Sequence, residues 1–485
     1  MKRVFSNPVV ALAAGLCLRL FFILRFPADS GDTVLYEQIA KNWLKYHIYG
    51  MDVGGALTPV DLRMPGYPAV LVLIYAITGK TGLQARPWVM FAQIFVDLAS
   101  CLVIAYLAAR LWSPFDKRPQ SSKRVFTAAL WMSALCPFSA NYTAVLMTEV
   151  LAIFFTCVAL LFLSGMASQI GDSTTFAEKT ASDWWKTVWM HGCLGALAIG
   201  LGALFRPETP LLLAVVWIVA AGLLLPHGRF GHWVKTIFVT AFACAVPLLP
   251  WAIRNAVTLH EVQLLAPKNS NLSSELVPYG FMAWEKTWLF RMKDCYQVSW
   301  KLNEEAIEVN DIPTRAFDSA EEKQRVAAIL ESYNKDLTLT AEEDALFAQL
   351  ARERTRRHPL RRYVALPVAR AATIWLSPRI ELLPFSGDVF PLAREWKEDR
   401  TDQAVTVGFF TLNFCYLALA IWGAWYLWTS DTSVRPAAML LIIFIVLRTA
   451  FLTTLETPEP RYTLECFPAL IAFGAQVFAR TERRT

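Results

Sequence analysis

The 485 residues are 55% hydrophobic and only 18% charged, against about 25% charged in soluble domains, which excludes an ordinary soluble globular chain. The formal net charge is +6, but the basic excess sits in short loops between apolar runs, a distribution that suits membrane orientation and not nucleic-acid binding. Cys17, Cys101, Cys136, Cys157, Cys193, Cys244 and Cys415 fall inside apolar runs and only Cys295 lies well inside a polar region, so neither a disulfide framework nor a zinc spacing is present.

The apolar runs are continuous rather than alternating, which predicts helices and not the short strands of a membrane barrel. Lys2 and Arg3 precede an apolar run to about Phe26, and Arg25-Phe26-Pro27 offers no small-residue cleavage site, so the first span is expected to be uncleaved. Ten spans are expected, at about 7–26, 88–111, 125–140, 143–166, 187–205, 208–225, 236–252, 404–428, 436–455 and 462–479, each near the roughly 20 residues a bilayer core requires. The stretches 66–79 and 361–377 are shorter, which suits interfacial or re-entrant segments, and the second carries Arg370.

A cytoplasmic N-terminus puts three basic clusters inside: Lys117, Arg118, Lys123 and Arg124; Arg229 and Lys235; and Arg480, Arg483 and Arg484. That satisfies the positive-inside rule. The loop 27–87, the turn at Asn141, the turn at Arg206-Pro207, the polar region 253–403 and the turn 456–461 then share the extracytoplasmic side. The expected organisation is a membrane module over 1–252 with its first outer loop at 27–87, a soluble region over 253–403, and C-terminal spans over 404–485. Within the soluble region, 319–357 reads as charged helices.

In the first loop, Asp29 and Asp32 precede an amphipathic pattern of Leu35, Ile39 and Trp43, with Tyr36, Ala40 and Leu44 beside it; this is a helix lying against the membrane surface. Asp32 stands at the expected N-cap of that helix. A carboxylate there either satisfies orphan N–H groups or, at the mouth of a membrane cavity, acts as a general base toward a hydroxyl. Asp29 is open to the same two readings. Arg63, just before Pro65-Gly66-Tyr67-Pro68, either snorkels or holds a phosphate with paired hydrogen bonds. Glu149 is read about two turns inside a span, and Arg19, Asp97 and Arg448 are also intramembrane; such residues mark function or fix helix packing by pairing, Arg19 with Asp97 for instance. Arg206-Pro207-Glu208 makes a tight turn, and its basic residue suits an anionic ligand. His191, His227 and His232 show no metal-ligand spacing, and the chain has neither a P-loop nor a dinucleotide fingerprint.

Taken in order, these motifs resemble the GT-C superfamily of membrane glycosyltransferases, in the branch of protein O-mannosyltransferases and the aminoarabinose transferase of lipid A. The matching features are Asp32 with Tyr36; Arg63 to Pro68; Thr148-Glu149; Phe205-Arg206-Pro207; Pro250-Trp251-Ala-Ile-Arg254-Asn255; Arg357-His358-Pro359-Leu360; and Glu459-Pro-Arg461-Tyr462. Met64 departs from the pattern, standing where a second proline is expected. The resemblance spans roughly 8–260 and 350–480 and leaves 270–350 unmatched.

The resemblance implies an all-α polytopic membrane protein of GT-C fold, with 10–12 transmembrane helices, interfacial helices and a mixed or mostly helical extracytoplasmic domain. It implies inverting transfer of a sugar from a polyprenyl phosphate donor to an acceptor hydroxyl outside the cytoplasm. Asp32, Asp29 and Glu149 are then the expected catalytic carboxylates. Arg63, Arg206, Arg461 and Arg19 would bind the donor phosphate, and Tyr36, Tyr67, Asn141 and Tyr142 the substrate. Some relatives use a divalent metal, but no ligand pattern for one is present and no cofactor is expected. The expected partners are the bilayer, the lipid-linked donor and a protein, lipid or glycan acceptor, at a bacterial inner membrane. Two rival readings are a transporter or flippase of lipid-linked glycans and a non-catalytic membrane partner. Transporters of that kind have paired inverted halves and short outer loops, which the long polar block disfavours; the retained Asp32, Arg63 and Glu149 disfavour the second.

Overall fold

The computed structural model describes residues 7–112, 119–171, 181–267, 275–430 and 432–479; the predicted inner-side residues Lys2, Arg3, Lys117, Arg118, Arg480, Arg483 and Arg484 lie outside them. The chain divides into two compact units, one of Met1–Lys268, Pro378–Ile445 and Leu464–Thr485, the other of Asn269–Ser377 and Val446–Thr463.

The first unit opens with α1 (Pro8–Arg25), whose start is fixed by Pro8 and by the Asn7 side chain accepting the Val9 N–H at 3.0 Å. An interfacial helix α2 (Gly31–Tyr46) follows, then a hairpin of β1 (Gly50–Val53) and β2 (Ala56–Pro59), then α3 (Gly66–Thr78). The 13 residues of α3 extend only about 20 Å at 1.5 Å per residue, too short to span, and α3 packs on α2 through Tyr36, Ala40, Tyr67, Leu71 and Tyr75. The helices α4 (Arg86–Trp112), α5 (Pro119–Ala134), α6 (Glu149–Gly171), α7 (Ala181–Ala203), α8 (Leu211–Leu224) and α9 (Phe230–Thr258) come next. Helix α4 packs on α5 and α6, α6 on α7, and α7 on α9. Between α5 and α6 the chain does not turn simply; Pro137–Ala144 forms two short helical turns buried in the bundle.

The second unit is a helical body on its own core of Phe281, Trp284, Trp288, Tyr333 and Phe347. Its helices are α10 (Tyr279–Glu285), α11 (Met292–Gln297), α12 (Ala320–Asp336), α13 (Ala341–Arg357) and α14 (Leu366–Leu376). The charged segment 319–357 folds as two helices with orthodox ends: Ser319 caps α12, and a Thr340–Glu343 capping box starts α13. Helix α13 carries Glu342, Glu343 and Asp344 in its first turn and Arg354, Arg356 and Arg357 in its last, matching the helix dipole at both ends. Arg370, read as an anomaly in the apolar stretch 361–377, is buried on α14 and donates to the carbonyls of Leu289 at 3.0 Å, Lys286 at 2.9 Å and Thr453 at 3.3 Å.

The chain ends with α15 (Arg400–Ser430), α16 (Arg435–Leu452) and α17 (Phe467–Gly474). Among the described residues, seven helices or continuous helical runs are long and apolar enough to cross a membrane: Pro8–Arg25, Arg86–Trp112, Glu149–Gly171, Phe230–Thr258, Arg400–Thr429, Arg435–Leu452 and Pro460–Ala479. They make the chain an integral membrane protein. The other three runs read as spans form shorter or more polar helices, over Pro119–Ala134, Ala181–Ala203 and Leu211–His227.

Candidate functional site

The site is built where α2, the segment 60–68, the start of α6 and the turn at Arg206 meet in the first unit. Helix α2 starts one turn earlier than its apolar stripe. Its cap is Ser30, whose hydroxyl accepts the Thr33 N–H at 3.3 Å while the Thr33 side chain accepts from the Ser30 N–H. This corrects the expectation that Asp32 caps the helix: Ser30-Gly31 places Asp32 inside the first turn, its carboxylate turned outward. There Arg63 Nη2 donates to Asp32 Oδ1 at 2.8 Å, and both side chains keep about a quarter of their surface exposed, 24% for Arg63 and 27% for Asp32. Burial opposes the charge on Arg63, but Asp32, with Tyr36 and Tyr49, outweighs it and raises the guanidinium above its ordinary pKa. Asp29 is placed differently. It is 65% exposed and paired to Arg86 at 2.5 Å, and Arg86 also grips Glu37 at 2.9 Å.

Arg63 is held from behind. Tyr49 donates its hydroxyl to the Arg63 carbonyl at 2.8 Å. Arg254, from α9, donates to the carbonyls of Tyr49 at 2.6 Å and Val60 at 2.9 Å. Three residues on, Gly66 donates its N–H to the Leu204 carbonyl at 2.7 Å, and a Cβ at 66 would lie 2.6 Å from that same oxygen. The glycine of Pro-Gly-Tyr-Pro therefore permits the backbone approach that docks the Arg63 segment onto the turn carrying Arg206.

At that turn Arg206 Nη2 donates to Glu149 Oε1 at 2.5 Å, with Glu208 at 3.4 Å and Glu465 at 3.8 Å from the same guanidinium. Glu465 also accepts the Thr156 hydroxyl at 3.0 Å. Glu149 is the first residue of α6, not two turns inside a span as expected from the sequence. The short turns over 137–144 consume the residues that looked transmembrane, and the carboxylate meets the positive end of the helix dipole.

Tyr36 joins the two ion pairs. Burial raises its phenol pKa first; Asp32 and Glu149 raise it further, while Arg63 and Arg206 oppose them, so all four charges act on one buried ring. That ring lies 5.0 Å from Tyr67, centroid to centroid, and Tyr67 donates to Gln93 at 2.8 Å. Gln93 in turn donates to the carbonyls of Thr143 at 3.2 Å and Val145 at 2.9 Å. Thr33 donates to Leu146 O at 3.1 Å. The segment 141–149 is thus tied to α2 and α4. The Asn141 amide is 2% exposed and neither its nitrogen nor its oxygen has a hydrogen-bond partner among the described residues, a condition uncommon in native interiors. Tyr142 is buried beside it.

One predicted residue of the first unit, Arg19, bonds none of these side chains. Arg19 is fully buried, and its guanidinium bonds Asp97 at 2.5 and 2.7 Å, the Gly15 carbonyl at 2.9 Å and the Ala134 carbonyl. A guanidinium so enclosed ties α1 to α4 and α5. Arg461 belongs to the second unit, where it pairs with Glu459 at 2.5 Å. Residues the sequence reading passed over include Gln93, Glu465, Arg86 and Tyr49. Beside the site, a cavity of about 520 Å³ is lined by Trp43, Tyr49, Gly66, Leu204, Trp251 and Arg254. Among the described residues no three His, Cys, Asp or Glu side chains converge as a metal set.

No protein-family model and no curated protein matches the chain. Solved structures do. The oligosaccharyltransferase of Archaeoglobus fulgidus superposes in its apo form with a TM-score of 0.51 at 12% identity, over 96% of this chain and 49% of that one. Its form tethered through a disulfide bond to an acceptor peptide containing the NVT sequon gives 0.51 at 12% identity, over 96% and 48%. ArnT from Cupriavidus metallidurans in the apo state matches at a TM-score of 0.39 and 12% identity, over 97% and 76%. The chain spans about half the length of the archaeal protein. At such identity the likeness is one of fold: the chain is an all-α polytopic membrane protein with a GT-C-like fold.

Proposed function

We propose that this protein is a glycosyltransferase that moves a sugar from a polyprenyl phosphate donor to an acceptor hydroxyl, on the extracytoplasmic side of the membrane. The observation that carries this reading is the Asp32–Arg63 pair, held at 2.8 Å and still a quarter exposed, beside the buried Glu149–Arg206 pair. A phosphate arriving at Arg63 competes for the guanidinium and frees the Asp32 carboxylate. Asp32 then takes the proton of the acceptor hydroxyl as its oxygen attacks the anomeric carbon from the face opposite the phosphate. The new C–O bond forms as the bond to the phosphate oxygen breaks, with inversion, and the leaving phosphate keeps the electron pair. Arg63 and Arg206 stabilise the charge that builds on it.

Glu149 orients Arg206 through their 2.5 Å contact. Asn141, Tyr142, Tyr36 and Tyr67 are the proposed sugar-facing side chains; the unsatisfied Asn141 amide supports this, since a sugar hydroxyl gives it both a donor and an acceptor. The apolar cavity beside Arg254 suits an isoprenoid segment of the donor. Asp29 is the second candidate base, disfavoured because Arg86 already holds it. Arg461 remains a proposed phosphate ligand. The region 270–350 is proposed to carry acceptor specificity, and the bacterial inner membrane is proposed as the setting.

The test is release of polyprenyl phosphate from a panel of radiolabelled polyprenyl phosphate sugars, by wild type and by Asp32→Asn, in detergent with an acceptor-containing membrane extract. Release by wild type and not by the folded variant supports the class and the base together. Equal release by both removes Asp32 from the chemistry. No release from any donor makes a lipid-linked-glycan transporter or a non-catalytic partner the better reading.

A further inference from the structure

Helix α4 connects two charged places. Its first residue, Arg86, binds Asp29 and Glu37 beside the candidate site. Arg110 lies 24 residues further on, or about 36 Å at 1.5 Å per residue, which exceeds the roughly 30 Å of a bilayer core. Arg110 therefore sits at the membrane surface opposite the candidate site. It lines a cavity of about 660 Å³ with Tyr106, Ser122, Lys123, Phe126 and Leu161, between α4, α5 and α6.

The arrangement is built for a guanidinium. A Cβ at Gly165 of α6 would overlap the Arg110 head group, so the missing side chain there makes its seat. Arg110 Nη2 lies 3.1 Å from His191 Nε2, and His191 Nδ1 lies 2.9 Å from the Thr187 carbonyl. A carbonyl only accepts, so Nδ1 carries the proton and Nε2 is left to accept from Arg110. His191 is then neutral and does not balance the charge on Arg110. Among the described residues neither Arg110 nor Lys123 has a carboxylate partner, and they are the only charged residues that line the cavity. Tyr106 and Phe126 meet edge to face at 5.1 Å beside them, the amphipathic ring chemistry of a membrane interface. A basic cavity between membrane helices at headgroup depth matches the chemistry of an anionic lipid head group.

We propose that this cavity binds the phosphate of an anionic phospholipid, held by Arg110 and Lys123, with the lipid chains running along α4 and α6. The occupant comes from the bilayer; free phosphate shares the chemistry, and the test separates the two. The protein is purified in a neutral detergent, and its melting temperature and retained lipids (by native mass spectrometry) are measured with added phosphatidylglycerol, phosphatidylcholine or inorganic phosphate. The expected result is one retained phosphatidylglycerol and a rise in melting temperature that phosphatidylcholine does not give. Arg110→Gln with Lys123→Gln loses both effects. A control pair that removes two exposed cations outside the lining, Arg124→Gln with Lys235→Gln, keeps them. Equal loss in the control overturns the site in favour of general surface charge, as does retention in the cavity variant. An equal rise with millimolar phosphate overturns the bilayer as the source. Should the double variant fail to fold, the exposed Lys123→Gln alone carries the test, with weaker lipid retention expected and unchanged retention overturning the proposal.

Discussion

The pairs Arg19–Asp97 and Arg63–Asp32 both stand in the first unit, and the contrast between their surroundings is instructive. Arg19 and Asp97 meet where neither has solvent, and further bonds to the carbonyls of Gly15 and Ala134 occupy the guanidinium. Arg63 and Asp32 meet with a quarter of each side chain exposed, and a backbone scaffold holds Arg63 without covering its head group. The first pair is closed, so its energy goes into holding α1 against α4 and α5. The second remains open to exchange with a substrate. Charge type and pairing distance are similar in both; exposure and saturation distinguish them.

That comparison breaks most sharply at Asp32. Asp32→Asn should lower turnover by about 10²–10⁴-fold, the usual contribution of a general base, with the melting temperature close to wild type. Asp29→Asn, which removes an exposed partner of Arg86, should leave turnover within a few-fold. Initial rates of polyprenyl phosphate release from the two folded variants check this. The reverse pattern would move the base to Asp29.

Asp97→Ala tests the closed pair. It leaves Arg19 as a buried cation without its carboxylate, which costs about 3–5 kcal/mol. The expected outcome is a large drop in melting temperature or in the yield of monodisperse protein. The small amount that folds should keep the wild-type KM for donor. A stable Asp97→Ala with a raised KM would instead return Arg19 to the phosphate-binding set.

Gly66→Ala lies between the two cases. The added methyl carbon would stand 2.6 Å from the Leu204 carbonyl oxygen, a backbone atom with little room to move. Overpacking of this kind costs about 1–3 kcal/mol. Because Gly66 joins the Arg63 segment to the Arg206 turn, the variant should raise KM for donor as well as lower the melting temperature. A stability loss with unchanged kinetics would show that the docking of the two segments does not serve the site.

Much of the site was legible because its residues sit in local patterns: Asp32 four before Tyr36, Arg63 before Pro-Gly-Tyr-Pro, Arg206 before Pro207. Helix ends were less so. Asp32 and Ser30 are both good caps, and only the folded Thr33 side chain, closing a capping box, decides for Ser30. The segment 137–148 is apolar enough to read as two spans meeting, yet its backbone is tied down by Gln93 and Thr33 from elsewhere in the chain. Gln93, Glu465 and Arg86 act over long sequence separations, so no local pattern announces them. The one available signal was a polar residue inside an apolar run, which applies to Gln93 and Glu465 alike.

The second unit supplies a third setting, a buried carboxyl that forms no ion pair among the described residues, which gives the smallest predicted effect. Glu285 is fully enclosed at the end of α10 and accepts the Ser299 hydroxyl at 2.5 Å. Burial pushes its pKa up to about 8; Glu456 and Asp294 add to the rise, while the Ser299 bond and Arg370 oppose it. The folded protein therefore keeps a proton on Glu285 at a pH where the unfolded chain, with a carboxyl near 4.5, has lost it. The folded state then binds more protons than the unfolded state, and stability falls as pH rises between about 4.5 and 8. Glu285→Gln carries a permanently neutral amide of the same shape, which still accepts from Ser299, and should flatten this fall. Melting temperatures at pH 5.5, 6.5 and 7.5 for wild type and Glu285→Gln decide the matter. Parallel pH profiles would mean that Glu285 is ionised in the fold, and that the nearby Arg370, bonded to the carbonyls of Leu289 and Lys286, balances its charge at longer range.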